Sequence, residues 1–257
     1  MMRMGRALTV LCLLLSLAAA TPIAAAEIKI LSGSAIETAM AELIPKFEQA
    51  SRHKVSFDFD GTIGGMTQRI RNGEAADVLI ASAAQIAMLE QERKIAAGSR
   101  ADIAKVGVGV FVRDGAPKPD IRSVDAFKRA MLAAKSIGWN DPAAGAPVSI
   151  YMLGVFERLG IAEAMKSKTV TFTQRSERFA AVARGDVEIG FNQISEIIAA
   201  RGVELAGPLP EAIQNYTVFA GGLVASSKER EAAKALLRFM SSPSTLAIWT
   251  AKGFEVP

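Results

Sequence analysis

Short apolar runs alternate along the chain with longer stretches in which apolar residues recur at helical spacing. Strand-like runs occupy residues 28–31, 55–59 and 77–81. Between Ile36 and Phe47 the apolar positions follow one another at intervals of four, three and four residues, which places them on one face of a helix. This alternation is typical of α/β proteins, in which helices cover a parallel sheet.

Two longer strand-like runs, at residues 105–113 and 216–225, bracket a second series of strands and helices. This series opens with a predicted helix whose N-cap is Ser123, and it ends in a stretch, residues 207–210 (GPLP), that its Gly and Pro residues mark as a loop. We interpret the two long strands as crossings between two lobes, near residues 110 and 218. The sequence therefore predicts an α/β fold in which two βα lobes face each other across a ligand cleft. The predicted boundaries are 27–109 with 219–257 for lobe 1, and 110–218 for lobe 2.

The amino terminus predicts an export signal. Arg3 and Arg6 precede an apolar run, and residues 24–26 are alanines, the small residues that a signal peptidase prefers. The run of roughly 13 apolar residues is too short for a membrane span, which needs about 20. We therefore expect residues 1–26 to be removed near Ala26 and the mature chain to be a soluble monomer in the periplasm.

Charge and composition exclude several function classes. The formal net charge of +4 includes Arg3 and Arg6, so it falls to about +2 in the mature chain, which is not the signature of a nucleic-acid-binding protein. The single cysteine, Cys12, lies in the predicted signal segment. The single histidine, His53, lies in a polar segment that is predicted to be an exposed turn. We therefore expect no thiol nucleophile, no histidine-based triad, no metal site and no cofactor.

A glycine-rich turn separates a predicted strand from a predicted helix at residues 57–70 (FDFDGTIGGMTQRI). The lysine of a phosphate loop and the GxGxxG pattern are both absent from this turn. What remains is a helix amino terminus, whose unpaired N–H groups bind anions, or simply a tight turn whose glycines permit the backbone geometry. Residues 32–36 and 140–151 have the same form. The end of a parallel strand is where α/β proteins bind ligands, so we expect one cleft to be lined by loops 32–36, 60–65, 81–84, 141–149 and 173–176.

Arg175 follows a predicted strand and precedes a predicted helix. Its guanidinium is placed to bind a carboxylate through two parallel hydrogen bonds, or else to lie in a polar surface turn.

The order of these motifs resembles the type II periplasmic solute-binding proteins, and most closely the molybdate-binding proteins of ABC importers. The resemblance covers nearly all of residues 28–254. It is carried by SGSAIETAMAELIPKFEQASRHKVSFDF, by NGEAADVLIAS and by GDVEIGFNQISEI. It implies a two-lobed fold that binds a small anion and delivers it to an inner-membrane permease.

The resemblance also implies site residues. The family's first serine falls on Ala35, with Ser34 one position earlier, and its second serine falls on Ile63 or Gly64, with Thr62 as the nearest hydroxyl. Its tyrosine falls on Gln193, and backbone amides are expected from Arg175 and from the region of Pro147 and Val148. An arginine in the cleft, Arg175, and Gln193 in place of the tyrosine favour a larger ligand with a carboxylate or phosphate and further hydrogen-bonding groups. The candidate ligand-binding residues are Ser34, Ala35, Thr62, Ile63, Gly64, Ser82, Val148, Ser149, Arg175 and Gln193.

Three functions compete for this pattern. The first is a periplasmic binding component of an ABC importer, which binds a molybdate-like oxyanion or a small organic acid without catalysis. The second is an exported enzyme on the same fold that uses Asp141, Asp60 or Glu37 as acid or base. The third is the effector domain of a transcription regulator, which the predicted signal peptide argues against.

Overall fold

The protein's structure is a computed structural model that describes residues 25–59, 63–144 and 146–257. Most of the predicted signal segment and two candidate residues, Asp60 and Thr62, lie outside the described residues. In the described part of the chain, no helix combines the length and the apolar character that a membrane crossing requires.

The described chain forms strands and helices in alternation. The strands are β1 (Glu27–Ser32), β2 (Lys54–Asp58), β3 (Val78–Ser82), β4 (Ala101–Arg113), β5 (Ile137–Asn140), β6 (Thr169–Phe172), β7 (Ile189–Gln193), β8 (Val203–Pro208) and β9 (Tyr216–Leu223). The helices are α1 (Glu37–Ser51), α2 (Ile63–Arg71), α3 (Ala83–Gln91), α4 (Val124–Ala133), α5 (Pro147–Arg158), α6 (Ala162–Lys166), α7 (Arg175–Arg184), α8 (Ile194–Ala199), α9 (Arg230–Met240) and α10 (Leu246–Ala251).

The strands of the described chain are joined in the order β2-β1-β3-β9-β4-β7-β5-β6, and β8 also pairs with β4. β1 runs parallel to β2 and β3, and β5 runs parallel to β6 and β7. The two long strands β4 and β9 are antiparallel to their neighbours. The predicted α/β class is confirmed, with parallel βα units on both sides of an antiparallel centre.

β4 connects the two sets of parallel strands. Its first part, from Ala101 to Gly107, pairs with β9, whereas Val108 to Arg113 pair with β7 or β8. One apolar core packs α1, α9 and α10 against β1 and β9, and a second packs α4 and α5 against β5 and β7. The predicted lobe boundaries, at residues 109/110 and 218/219, stay a prediction.

Several local predictions are corrected by tertiary packing. Helices α3 and α6 and strand β8 were not predicted from the sequence pattern. Gly207 and Pro208 lie at the end of β8 and not in a loop, because a proline is tolerated at the end of an edge strand that pairs on one side. The Ser123 cap is confirmed, since its side chain accepts a hydrogen bond from the Ala126 N–H.

The prediction that His53 is exposed is wrong. Its side chain is buried and stacks on Phe47, and its Nδ1 accepts a hydrogen bond from the Ala26 N–H at 3.1 Å. Its polar sequence neighbours gave the segment a solvated pattern, but the start of β1 lies alongside the start of β2 and brings the Ala26 N–H to the ring. His53 therefore anchors the first strand.

Candidate functional site

The carboxyl ends of the parallel strands meet near the middle of β4. β3 runs in the same direction as β4. Its last residue, Ser82, pairs with Phe219 of β9, close to the start of β9, where Tyr216 pairs with Gly107 of β4. β7 runs in the opposite direction, and its last residue, Gln193, pairs with Val108. The two sets of strand ends therefore approach each other from opposite sides. This is the place where α/β folds bind ligands.

Two of the predicted cleft loops lie against each other at this edge. A Cβ on Gly33 would lie 2.7 Å from Ile63 Cγ1 and 3.1 Å from the Ile63 backbone nitrogen. Only glycine lets the loop after β1 approach the amino terminus of α2 so closely. Ala35 is buried in the first core and Ile63 packs against it, while Gly64 is exposed. The side chains of Ala35 and Ile63 thus serve packing, and their loops present backbone groups.

Arg175, Ser34 and Glu196 form a polar cluster that joins the two sets of strands. Arg175 Nη1 donates to Ser34 Oγ at 3.3 Å, and the same Nη1 forms an ion pair with Glu196 Oε1. Ser34 Oγ in turn donates to Glu196 Oε1 at 3.3 Å. Ser34 lies after β1, Arg175 begins α7 and Glu196 lies in α8. The cluster therefore places a cation and an acid from one side against a hydroxyl from the other.

Sequence reasoning missed Glu196. Its carboxylate side chain is only 12% exposed, whereas Arg175 is 44% exposed. A glutamate in the first turn of a helix is an ordinary feature of a solvated helix end, so its type alone carries no signal. The sequence feature that could have indicated Glu196 is its position, three residues after the candidate Gln193.

The remaining candidates have distinct environments. Gln193 Nε2 donates to Thr217 Oγ1 at 3.1 Å, which connects the end of β7 to β9. Ser82 caps α3, because its Oγ accepts from the Gln85 N–H at 3.3 Å. Val148 packs against the second core. Ser149, in the first turn of α5, is buried, and its Oγ has no hydrogen-bond partner among the described residues.

Unpaired buried polar atoms are concentrated at this same edge. Every one found in the described residues lies in the last two residues of β1, β5 or β7, or in the first four residues of α5, α7 or α8. They are Ser32 Oγ, Trp139 Nε1, Asn140 Oδ1, Ser149 Oγ, Arg178 Nε, Asn192 Nδ2 and Ser195 Oγ. Buried polar atoms in native proteins are almost always paired. Their collection at one edge fits a site whose hydrogen bonds are completed by a bound polar molecule.

Arg178 is the charged member of this set. Its residue is 3% exposed, and its guanidinium carbon lies 5.8 Å from the Phe111 ring centre and 5.1 Å from that of Phe179. Burial lowers the pKa of Arg178 to about 10, and the charge of Glu196 partly opposes this shift. Glu196 nevertheless forms its ion pair with Arg175. Sequence reasoning missed Arg178, although it lies one helical turn after Arg175.

The acids predicted as catalytic alternatives have other contacts or lie outside the described chain. Asp141 Oδ1 accepts from the Ala143 N–H at 2.9 Å and thereby holds the turn before α5. Glu37 is half-buried in the first turn of α1. Asp60, like Thr62, lies outside the described residues. No group of three potential metal ligands occurs in the described ranges.

Comparison with known proteins supplies independent information. The family model described as bacterial extracellular solute-binding protein matches residues 28–255. Aconitate isomerase of Pseudomonas sp. is 32% identical over 234 residues, which cover 88% of each chain. The molybdate-binding protein ModA of Azotobacter vinelandii is 28% identical over 237 residues, which cover 90% of each chain.

The fold comparison agrees. The solved periplasmic molybdate-binding protein of Azotobacter vinelandii superposes with a TM-score of 0.70 at 19% identity, over 90% of this chain and 99% of that one. The expected type II periplasmic binding protein fold and the resemblance to molybdate-binding proteins are both confirmed.

Proposed function

Because the chain belongs to the bacterial extracellular solute-binding proteins, we propose that it is the periplasmic binding component of an ABC importer for a small organic acid. The observation that carries the proposal is Arg175, whose guanidinium reaches from α7 to Ser34 at the meeting point of the strand ends. An arginine at such a position binds a carboxylate through charge-assisted hydrogen bonds. The unpaired buried polar atoms around it supply further hydrogen bonds to the ligand.

An organic acid fits these residues better than molybdate. A dehydrated tetrahedral oxyanion is bound by side-chain hydroxyls and amides, and the family's hydroxyl positions are occupied by Ala35, by Ile63 or Gly64, and by Gln193. The nearby hydroxyl of Ser34 is engaged with Glu196. The contribution of Thr62 stays a prediction.

The proposed binding step exchanges one carboxylate for another. An entering ligand carboxylate replaces Glu196 on Arg175, while the N–H groups of Val148 and Ser149 in the first turn of α5 add donors to the rest of the ligand. The two lobes close by bending where β4 passes from β9 to β7, at Gly107 and Val108. Under this proposal the chain is exported with loss of residues 1–26, acts as a monomer and delivers its ligand to an inner-membrane permease.

A thermal melting scan tests this function. The wild type is heated separately with molybdate, sulfate, glutarate, citrate and trans-aconitate, each at a concentration far above the micromolar range. A ligand at 100 times its dissociation constant adds about 2.7 kcal/mol to the free energy of unfolding, so at least one organic acid is expected to raise the melting temperature. Stabilisation by molybdate alone would contradict the proposed ligand class.

Arg175→Ala provides the residue-level test. We expect about ten-fold or more loss of affinity for the stabilising acid, because the charge-assisted hydrogen bonds of one guanidinium are removed. Arg184→Ala is the matched control, since Arg184 ends the same helix, is exposed and pairs with Asp186. If the two variants had equal affinities for the acid, Arg175 would be a surface residue that does not bind the ligand.

The similarity to aconitate isomerase favours a second candidate function, the isomerisation of an unsaturated organic acid. In such a reaction a proton leaves the methylene carbon, the double bond moves by one position, and the proton returns to the former alkene carbon. One carboxylate is sufficient to carry this proton, and no oxidant or reductant is consumed. Glu196 is the acid that the cluster offers for this role, because it is mostly buried and lies beside Arg175.

Proton NMR of trans-aconitate incubated with the purified protein tests this candidate. Formation of cis-aconitate by the wild type but not by Glu196→Gln would establish it, and solvent deuterium in the product would identify the proton transfer. Binding without turnover over many hours would leave the importer function. A rate that Glu196→Gln does not change would remove Glu196 from the chemistry and point to a contaminating enzyme.

A further inference from the structure

Arg178 lies in surroundings that are unusual for an arginine. Its residue is 97% shielded from solvent, and its Nε has no hydrogen-bond partner among the described residues. A buried charge that lacks close partners destabilises a protein strongly, so such a group is retained where something compensates it. Among the described residues, the acid whose charge acts on Arg178 is Glu196, which is bound to the neighbouring Arg175.

Two glycines and two asparagines lie on the strand faces beneath Arg178. A Cβ on Gly138 would lie 3.8 Å from Arg178 Cγ, so Gly138 faces this side of the sheet. Alternate residues of a strand share a face. Asn140 therefore lies on the same side of the sheet as Gly138, and Asn192 lies on the same side as Gly190. The Phe111 ring, which lies beneath Arg178, fills the position of a Cβ on Gly190. Gly138 pairs with Gly190 in the β5–β7 register, and each asparagine follows its glycine by two residues. Both asparagines have an unpaired buried amide atom.

The spacing of the two arginines fits one small molecule. Arg175 and Arg178 lie three residues apart on α7, and side chains at that spacing have Cβ atoms about 5–6 Å apart on one helix face. The carboxyl groups of an extended five-carbon diacid have a comparable separation. The Arg175 side chain is half-exposed, and Arg178, one helical turn further along, is buried.

We propose that Arg178 binds a second carboxylate of the ligand, so that the cleft selects small di- or tricarboxylates over monocarboxylates. This inference rests on the proposed function of the cleft. Arg175 takes the first carboxylate, Arg178 and the amide of Asn192 take the second, and the buried cation gains its counter-ion when the ligand binds. A monocarboxylate makes no hydrogen bond to Arg178 and binds more weakly.

Isothermal titration with glutarate and pentanoate tests the inference, because the two acids have the same carbon count and differ by one carboxylate. The wild type is expected to bind glutarate about ten-fold or more tightly than pentanoate. In Arg178→Met, which keeps an unbranched apolar stem, we expect the preference to fall below about three-fold while pentanoate affinity changes less than about two-fold. Arg178→Lys keeps the charge but loses the paired N–H donors of the guanidinium, so its preference for glutarate is expected to lie between those of the wild type and Arg178→Met. It replaces the methionine variant if that variant does not fold.

The outcomes separate this inference from the proposed function. A wild type that binds no carboxylic acid refutes the proposed function and the inference together. A wild type that binds glutarate through Arg175, combined with an Arg178→Met variant that keeps the full preference, refutes the inference alone. A parallel loss of affinity for both acids in Arg178→Met would assign Arg178 to structural support and would also refute it.

Discussion

Gly190→Ala is expected to destabilise the second lobe because the space for one methyl group is already occupied. A Cβ at position 190 would lie 2.2 Å from Phe111 Cζ and 2.5 Å from Phe111 Cε1. Phe111 is fully buried, and its ring centre lies 4.8 Å from that of Phe179, so any movement of the ring disturbs its packing. The ring or the strand must shift by about 1 Å to restore ordinary contact distances.

The expected cost is at the upper end of the usual range for overpacking. Inserting one carbon into a close-packed core destabilises by about 1–3 kcal/mol, and the overlap with an aromatic ring argues for about 3 kcal/mol. For a chain of this size that corresponds to a fall in melting temperature of roughly 6–12 °C. Arg178 lies above the displaced ring, so ligand affinity is expected to fall as well.

Urea unfolding at constant pH measures the change, with Gly154→Ala as the matched control. Gly154 lies inside α5, and the nearest atom to its Cβ position is the flexible end of Arg158 at 3.4 Å. Alanine is favoured over glycine in a helix by about 1 kcal/mol, so Gly154→Ala should stabilise slightly. If Gly190→Ala were as stable as the wild type, the packing of Phe111 against β7 would be wrong.

Two further predictions concern charged side chains. Hydrogen bonds from Arg69 and Lys29 lower the pKa of Glu74 from its usual 4.5 to about 2, so Glu74 adds stability above pH 4.5 that is lost as the pH falls toward 2. Glu74→Gln should therefore flatten the dependence of stability on pH between about 5 and 2, measured by urea unfolding against the wild type. Glu196→Gln removes the acid that competes with the ligand for Arg175. Titration should therefore show that this variant binds glutarate about three-fold or more tightly than the wild type does. Weaker binding would contradict the exchange of carboxylates on Arg175.

Periodicity predicted most of the fold because its causes are local. The interval of apolar residues from Ile36 to Phe47 and the Ser123 cap depend on residues within a few positions, and α1 and α4 form where expected. β8 was missed because its edge position on β4 depends on a partner about 90 residues away. His53 was misjudged for the same reason, since the backbone that covers it comes from Ala26.

The candidate site also contains residues that could be predicted from local sequence and residues that could not. Arg175 could be predicted because strand ends and helix starts are readable in sequence, and those positions face ligands in α/β folds. Glu196 and Arg178 could not, because their roles depend on how α7 and α8 pack over Phe111 and on which arginine takes the acid. Residue type alone predicts that both are solvated.

Isothermal titration of the wild type with propane-1,2,3-tricarboxylate and with molybdate, in the same buffer and salt, tests the nature of the ligand most directly. One tricarboxylate is expected to bind per chain, and molybdate is expected to bind far more weakly or not at all. Tight binding of molybdate without binding of the tricarboxylate would contradict the assignment of Arg175 to a ligand carboxylate.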